Sequence, residues 1–81
     1  MLETQLHEYA NRLAEQQPGY TADEFMELLS GILTATIRHH GEETVRQMSE
    51  ATVMKVIQSQ VSELIRFKRL DKLMRKRDHL A

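Results

Sequence analysis

The sequence contains no cysteine and no tryptophan among its 81 residues. The lack of cysteine excludes disulfides and thiolate metal sites, and it suits a reducing compartment. No apolar run approaches the roughly 18–20 residues that a membrane-spanning helix needs. The first ten residues, MLETQLHEYA, lack the basic start and apolar centre of a signal peptide. These absences predict a soluble, cytoplasmic protein.

Proline and glycine are also scarce, with one proline and three glycines, and the β-branched residues do not alternate along the chain. Helix-forming residues dominate instead, so the sequence predicts an all-α fold. A core of this size is marginal without a staple, a metal or a second copy of the chain. We therefore expect one small helical domain over residues 1–81 that forms a homodimer, giving a dimeric helical bundle.

The first predicted helix covers about residues 2–16. Its apolar residues recur at steps of four, three and four, which draws one narrow stripe along the helix. A stripe of two heptads is too short to be stable alone in water, so it must pack on another element. The residues of the stripe are Leu2, Leu6, Tyr9 and Leu13.

The stretch PGYTADEF ends the first helix and starts the second, which should cover residues 22–40. Thr21 as N-cap and Glu24 three residues later fit a capping box, and Tyr20 and Phe25 fit the hydrophobic staple. Apolar residues cover more than half of the circumference of this helix, so it should be the central, most buried helix. Three small residues form a notch that predicts close approach of another helix: Ser30, Gly31 and Ala35.

The second helix should end in the stretch RHHGEE, where Gly41 fits a C-terminal cap and the next two glutamates fit a new first turn. We expect a hairpin of two helices, over about residues 22–40 and 43–65. The apolar phase of the second arm changes near Ser49 and again near Arg66. Either the chain breaks at these points, or one long helix serves different partners along its length.

The stretch RFKRLDKLMRKRDHL, residues 66–80, predicts a basic amphipathic C-terminal helix. Nine acidic and three basic residues give residues 1–50 a charge of −6, whereas eight basic and three acidic residues give residues 51–81 a charge of +5. Such a helix binds phosphates, lies on an anionic membrane, or packs its apolar side into the fold. The candidate polyanion-binding residues share one helical arc: Lys68, Arg69, Lys72, Arg75 and Lys76.

The apolar residues of this C-terminal segment point away from the face that Val53, Ile57 and Val61 form on the preceding helix. We therefore expect the segment not to extend that core, but to act as a strap against the first helix. A membrane is the least favoured partner, because the apolar anchors are short and tryptophan is absent. The candidate dimer or strap contacts are Leu2, Leu6, Tyr9, Leu13, Phe67, Leu70, Leu73 and Met74.

The stretch SEATVMKVI, residues 49–57, resembles the start of the recognition helix in lactose-repressor-type helix-turn-helix domains, which often carry a Ser-x-x-Thr-Val-x-x-Val pattern. The resemblance implies a DNA-binding helix that begins after Ser49, preceded by a helix in the stretch GEETVRQ. The sequence departs from the family pattern at Glu43, where a small buried residue is expected. An ordinary capped helix start explains the same residues.

The sequence offers no pattern of catalytic, cofactor-binding or metal-binding residues. His39 and His40 are neighbours and point about 100° apart on a helix, so they do not form an i,i+4 metal pair. No glycine-rich phosphate loop is present, and no serine has a paired base. We expect a non-enzymatic regulatory or adaptor protein, without a cofactor, that homodimerises and binds a protein partner through helical faces. The alternative is a DNA- or RNA-binding regulator that uses the basic C-terminal helix.

Overall fold

A computed structural model describes residues 1–74, and every regular element in that range is a helix, so the all-α expectation is confirmed. The helices are α1 (Leu2–Gln16), α2 (Ala22–His40), α3 (Glu42–Gln47) and α4 (Glu50–Arg66). Residues 70–74 are again helical. The Cα radius of gyration is 12.7 Å. A compact chain of this length should have a radius of about 12 Å, so the helices pack into one body.

Local signals fix both ends of α2. The Thr21 hydroxyl accepts a hydrogen bond from the Glu24 backbone N–H at 3.1 Å, and the Glu24 carboxylate accepts one from the Thr21 N–H at 3.0 Å. The rings of Tyr20 and Phe25 meet edge to face, with their centroids 5.8 Å apart. Gly41 ends the helix at φ +89°, where a side chain would be strained. The predicted capping box, staple, glycine cap and helix bounds are confirmed.

The second arm of the predicted hairpin consists of two helices rather than one helix over residues 43–65. The short helix α3 has no fully buried side chain, and the backbone becomes extended at Met48. The Ser49 hydroxyl then accepts a hydrogen bond from the Thr52 backbone N–H at 3.1 Å, which starts α4. The alternative of a break near Ser49 is therefore confirmed, because this serine is an N-cap.

The end of α4 is closed by a Schellman motif that has a lysine where glycine is usual. Lys68 adopts a φ of +55°. The Arg69 backbone N–H donates to the Leu64 carbonyl at 2.8 Å, and the Lys68 N–H donates to the Ile65 carbonyl at 3.1 Å. These two bonds satisfy carbonyl groups at the helix end that would otherwise lack partners. The break predicted near Arg66 is confirmed.

At this turn the structure differs from the predicted basic helix over residues 66–80. Residues 67–69 are not helical, and the helix resumes immediately after them. Lys68 and Arg69 therefore do not share a helical arc with Lys72, because the turn resets the direction of the chain. The remaining predicted members of the arc lie outside the described residues: Arg75 and Lys76.

The apolar core is one continuous cluster of buried side chains, and α2 and α4 contribute four each. Leu70 and Met74 belong to the same cluster as Val53, Ile57 and Val61. The expectation that the C-terminal segment does not extend this core is therefore wrong. The expectation assumed a straight helix through Lys68. The left-handed conformation of Lys68 instead changes the direction of the chain.

The 70–74 helix lies against the connection between α1 and α2. The Tyr20 hydroxyl donates a hydrogen bond to the Asp71 carboxylate. Pro18 and Leu70 line the same small crevice as this pair. The segment is thus a strap that is attached at the α1–α2 connection, and its buried residues belong to the same core cluster as Leu6 and Leu13 of α1.

The predicted small-residue notch on α2 faces solvent. All three of its residues are exposed, and within residues 1–74 they do not belong to the buried cluster. The close helix approach expected there is therefore not found in the described part of the chain. The residues concerned are Ser30, Gly31 and Ala35.

Truncation of Leu70 tests whether the strap stabilises the fold. Leu70 is 5% exposed, so Leu70→Ala should lower the free energy of unfolding by about 2–5 kcal/mol. Urea denaturation followed by circular dichroism measures the change. The exposed neighbour Lys72→Ala is the control and should stay within about 0.5 kcal/mol of the wild type. An unchanged denaturation midpoint for Leu70→Ala would contradict the docking of the strap.

Candidate partner-binding groove

An apolar groove opens where α4, the 67–69 turn and the 70–74 helix meet α2. Its main depression has a volume of about 460 Å³ and includes Ile32, Leu64 and Leu73. A second depression of about 410 Å³ shares Leu64, Arg69 and Leu73 with the first and reaches Lys72. We term the whole the C-terminal groove. Its lining residues are Ile32, Gln60, Glu63, Leu64, Phe67, Arg69, Lys72 and Leu73.

Phe67 stands at the edge of this groove and is 60% exposed. Among the large hydrophobic side chains of residues 1–74, Met1 is the other exposed one. The guanidinium carbons of Arg66 and Arg69 lie over the Phe67 ring, 5.7 and 6.0 Å from its centroid. Each cation–π contact at an exposed site is worth about 0.5–1 kcal/mol. The aromatic ring is therefore held at the rim between two cations.

Cations border this groove. Arg69 and Lys72 line it, and Arg66 lies over the Phe67 ring at its edge. All three are exposed, and none of them forms an ion pair with another residue in the described range 1–74. Glu63 is the acidic side chain among the lining residues. Positive side chains thus outnumber negative ones at the groove, although the first fifty residues carry a charge of −6.

The predicted contact residues fall into three environments. Four of them are buried, three are half-buried against the core, and Phe67 is exposed to solvent. Of the predicted polyanion-binding residues, Arg69 and Lys72 line the groove, whereas Lys68 lines the crevice at the α1–α2 connection. The buried group is Leu6, Leu13, Leu70 and Met74, and the half-buried group is Leu2, Tyr9 and Leu73.

Sequence reasoning missed four residues that line the groove. Ile32 and Leu64 fit the core faces of their helices, and periodicity does not show which core residues border an opening. Gln60 and Glu63 look like ordinary solvated residues of α4. The change of apolar phase near Arg66 was the sequence signal for the groove. It indicates a change in chain direction, and such a change leaves a depression between the elements.

A polar cleft between α1 and α4 contains Tyr9, Arg12, Gln58 and Ser62. Burial raises the pKa of Tyr9, while the positive charge of Arg12 lowers it in part. The Arg12 guanidinium lies 5.6 Å from the centre of the Tyr9 ring. The cleft thus keeps the phenol in its neutral, hydrogen-bonding form well into the alkaline range.

The histidine pair at the end of α2 faces solvent. The rings of His39 and His40 meet edge to face, with centroids 4.8 Å apart. Within residues 1–74, no group of three or more His, Cys, Asp or Glu side chains is close enough to hold a metal ion. The positions of the two rings fit the end of a helix, where a histidine favours the negative pole of the dipole.

The segment that resembles a recognition helix is α4, with α3 in front of it. Glu43 is exposed on α3, so this position does not bury the small residue that the family pattern expects. Val53 and Ile57 of α4 face the core. The exposed start of α4 carries Glu50, and α3 adds Glu42 beside it. These carboxylates would repel the phosphates that a recognition helix must approach.

Comparisons with protein-family models, curated proteins and solved structures give no match to this chain. The function is therefore inferred from the geometry of the protein surface. In the described residues, no helix combines the length and the apolar character that crossing a bilayer requires.

The raised pKa of Tyr9 predicts a specific dependence of stability on pH. The folded state holds the phenolic proton more tightly than the unfolded chain does. This contribution is complete below the ordinary pKa of 10.0 and is lost as pH rises through the higher folded value. Urea denaturation between about pH 8 and pH 11 should therefore show a steeper alkaline loss for the wild type than for Tyr9→Phe. Parallel curves for the two proteins would contradict the burial of this phenol.

Proposed function

We propose that this protein is a small, non-enzymatic regulatory or adaptor protein that binds a protein partner through the C-terminal groove. The observation that carries the proposal is Phe67, an exposed aromatic residue beside an apolar groove. Exposed apolar surface of this kind, with a polar rim, is typical of protein interaction sites. The cytoplasm is the proposed location, since a chain without cysteine suits a reducing compartment.

The chemistry of the groove supports a protein partner. Aromatic residues and arginine are enriched at protein interfaces, and the residues with the largest binding energies cluster where they exclude water. Phe67 with Arg66 and Arg69 forms such a group at the edge of an apolar floor. A partner that covers the ring would bury its apolar area without breaking any hydrogen bond of the fold.

Capture from native lysate, with and without nuclease, tests this proposal. Immobilised wild-type protein should retain a partner after nuclease treatment, and Phe67→Ala should lose it. Lys55→Ala is the matched control, because Lys55 is exposed on the same helix away from the groove. Capture that is equal for Phe67→Ala and the wild type would contradict the proposal.

A nucleic-acid function is the second candidate, and the three exposed cations at the groove, which form no ion pair within residues 1–74, favour it. Three phosphate contacts would give log affinity against log salt a slope of about −2 to −3 on duplex DNA. Capture that nuclease abolishes, together with this slope, would select this candidate. The acidic charge of residues 1–50 weighs against it, because it repels phosphate.

We also propose that the protein homodimerises. The buried cluster closes within one chain, so a dimer would be held by residues around it rather than by the core. A depression of about 300 Å³ beside α3 includes the half-buried Val45 and Met48. Arg46 and Glu50 also border it, each in an ion pair of its own, with Glu42 and with the N-terminal amine. A two-fold axis there would bury Val45 and Met48 of the two copies against each other.

Light scattering after gel filtration tests the dimer. At micromolar concentration, the wild type should have about twice the monomer mass of 9.5 kDa. Val45→Glu places a charge in the proposed interface and should give the monomer mass. Thr44→Glu, an exposed neighbour on α3, is the control. A wild-type protein that elutes as a clean monomer would contradict the proposal.

A further inference from the structure

The C-terminal groove combines an apolar floor with a cationic rim, and this combination restricts what it can bind. Leu64 and Leu73 are half-buried in the floor, so each keeps apolar surface to offer. Arg66 and Arg69 lie over the Phe67 ring, and Arg69 and Lys72 line the second depression. A complementary ligand needs apolar side chains for the floor and negative charge for the rim.

We infer that the groove binds an acidic amphipathic helix of a partner protein. Its apolar side chains would enter between Phe67 and Leu73, and its carboxylates would face Arg66, Arg69 and Lys72. This inference rests on the proposed function and names the chemistry of the partner.

The shape of the groove suits a helix. Its two depressions share Leu64, Arg69 and Leu73, so apolar surface is offered on more than one side of these residues. Helices that bind in grooves use a row of anchors at positions i, i+3 or i+4, and i+7. The charges of such a helix would lie outside the floor, where the rim cations are exposed.

The same features disfavour a nucleic acid in this groove. An apolar floor offers neither positive charge nor a hydrogen-bond donor to a phosphate, and the Glu63 carboxylate would repel a phosphate. A base that stacked on Phe67 would compete with the two guanidinium groups that already lie over its ring.

A second copy of this chain also fits poorly, although its first half is acidic. The acidic helix α1 uses its apolar stripe for its own core, with Leu6, Ala10 and Leu13 buried. The acidic helix α2 does the same with Phe25 and Leu28 among others. These helices can present carboxylates to the groove of another copy, but they lack a free row of apolar anchors.

Peptide binding to the full-length protein tests the inference. The probe is a fluorescein-labelled synthetic helix with leucines at i, i+3 and i+7 and glutamates on its other face. A matched peptide carries lysine in place of each glutamate. Fluorescence anisotropy should show binding of the acidic peptide, weakened by added salt, and no binding of the basic peptide.

Two variants test the position of the site. Phe67→Ala should weaken binding of the acidic peptide by at least about tenfold, since it removes the exposed aromatic ring at the edge of the groove. Lys55→Glu should leave its affinity unchanged, because twelve residues of helix separate it from Phe67 by roughly 18 Å. Both side chains are exposed, so neither change should unfold the protein. Equal effects of the two variants would overturn the inference.

A charge exchange gives a gain of binding that misfolding cannot imitate. The double variant Arg66→Glu with Arg69→Glu should reject the acidic peptide and bind the basic one. Loss of binding to both peptides with an intact circular dichroism spectrum would overturn the charge assignment. Competition by a duplex or single-stranded oligonucleotide, or by self-association of the protein, would overturn the assignment of a partner helix to the groove.

The inference and the proposed function can fail separately. Capture from lysate that depends on Phe67, together with no binding of the acidic peptide, overturns the inference and leaves the adaptor function standing. Capture that does not depend on Phe67 overturns the use of the groove altogether.

Discussion

The direction that the chain takes after α4 depends on one backbone conformation, the left-handed Lys68. Two hydrogen bonds from residues 68 and 69 back into the last turn of α4 hold this conformation. A residue other than glycine in this region costs of order 1 kcal/mol or more, so the surrounding packing must compensate. Burial of Leu70 and Met74, together with the hydrogen bond from Tyr20 to Asp71, provides that compensation.

The same turn forms part of the C-terminal groove. It carries Leu70 into the core and leaves Phe67, three residues earlier, outside it. The flanking arginines stay in solvent because the turn is exposed. Stability and recognition therefore come from neighbouring residues of one short segment.

Those parts of the fold that have local chemical signals could be predicted from the sequence. The capping box at Thr21 and the glycine at position 41 fixed the bounds of α2, and Ser49 marked the start of α4. The turn at Lys68 could not be predicted in the same way, because its usual signal is glycine or asparagine. Once that turn was missed, Leu70 was assigned to the wrong surface. The groove was missed for a related reason, since it arises from the angle between elements that are far apart in sequence.

The Lys68 turn also limits how the length of the chain can vary. One added residue between α4 and the 70–74 helix would disrupt the two hydrogen bonds of the Schellman motif and move the Leu70 side chain off the core. The connection at Gly41 differs, because open space surrounds this position. Insertions and deletions should therefore be tolerated better at Gly41 than between residues 66 and 70. The number of residues between α4 and Leu70 is therefore as constrained as the identity of those residues.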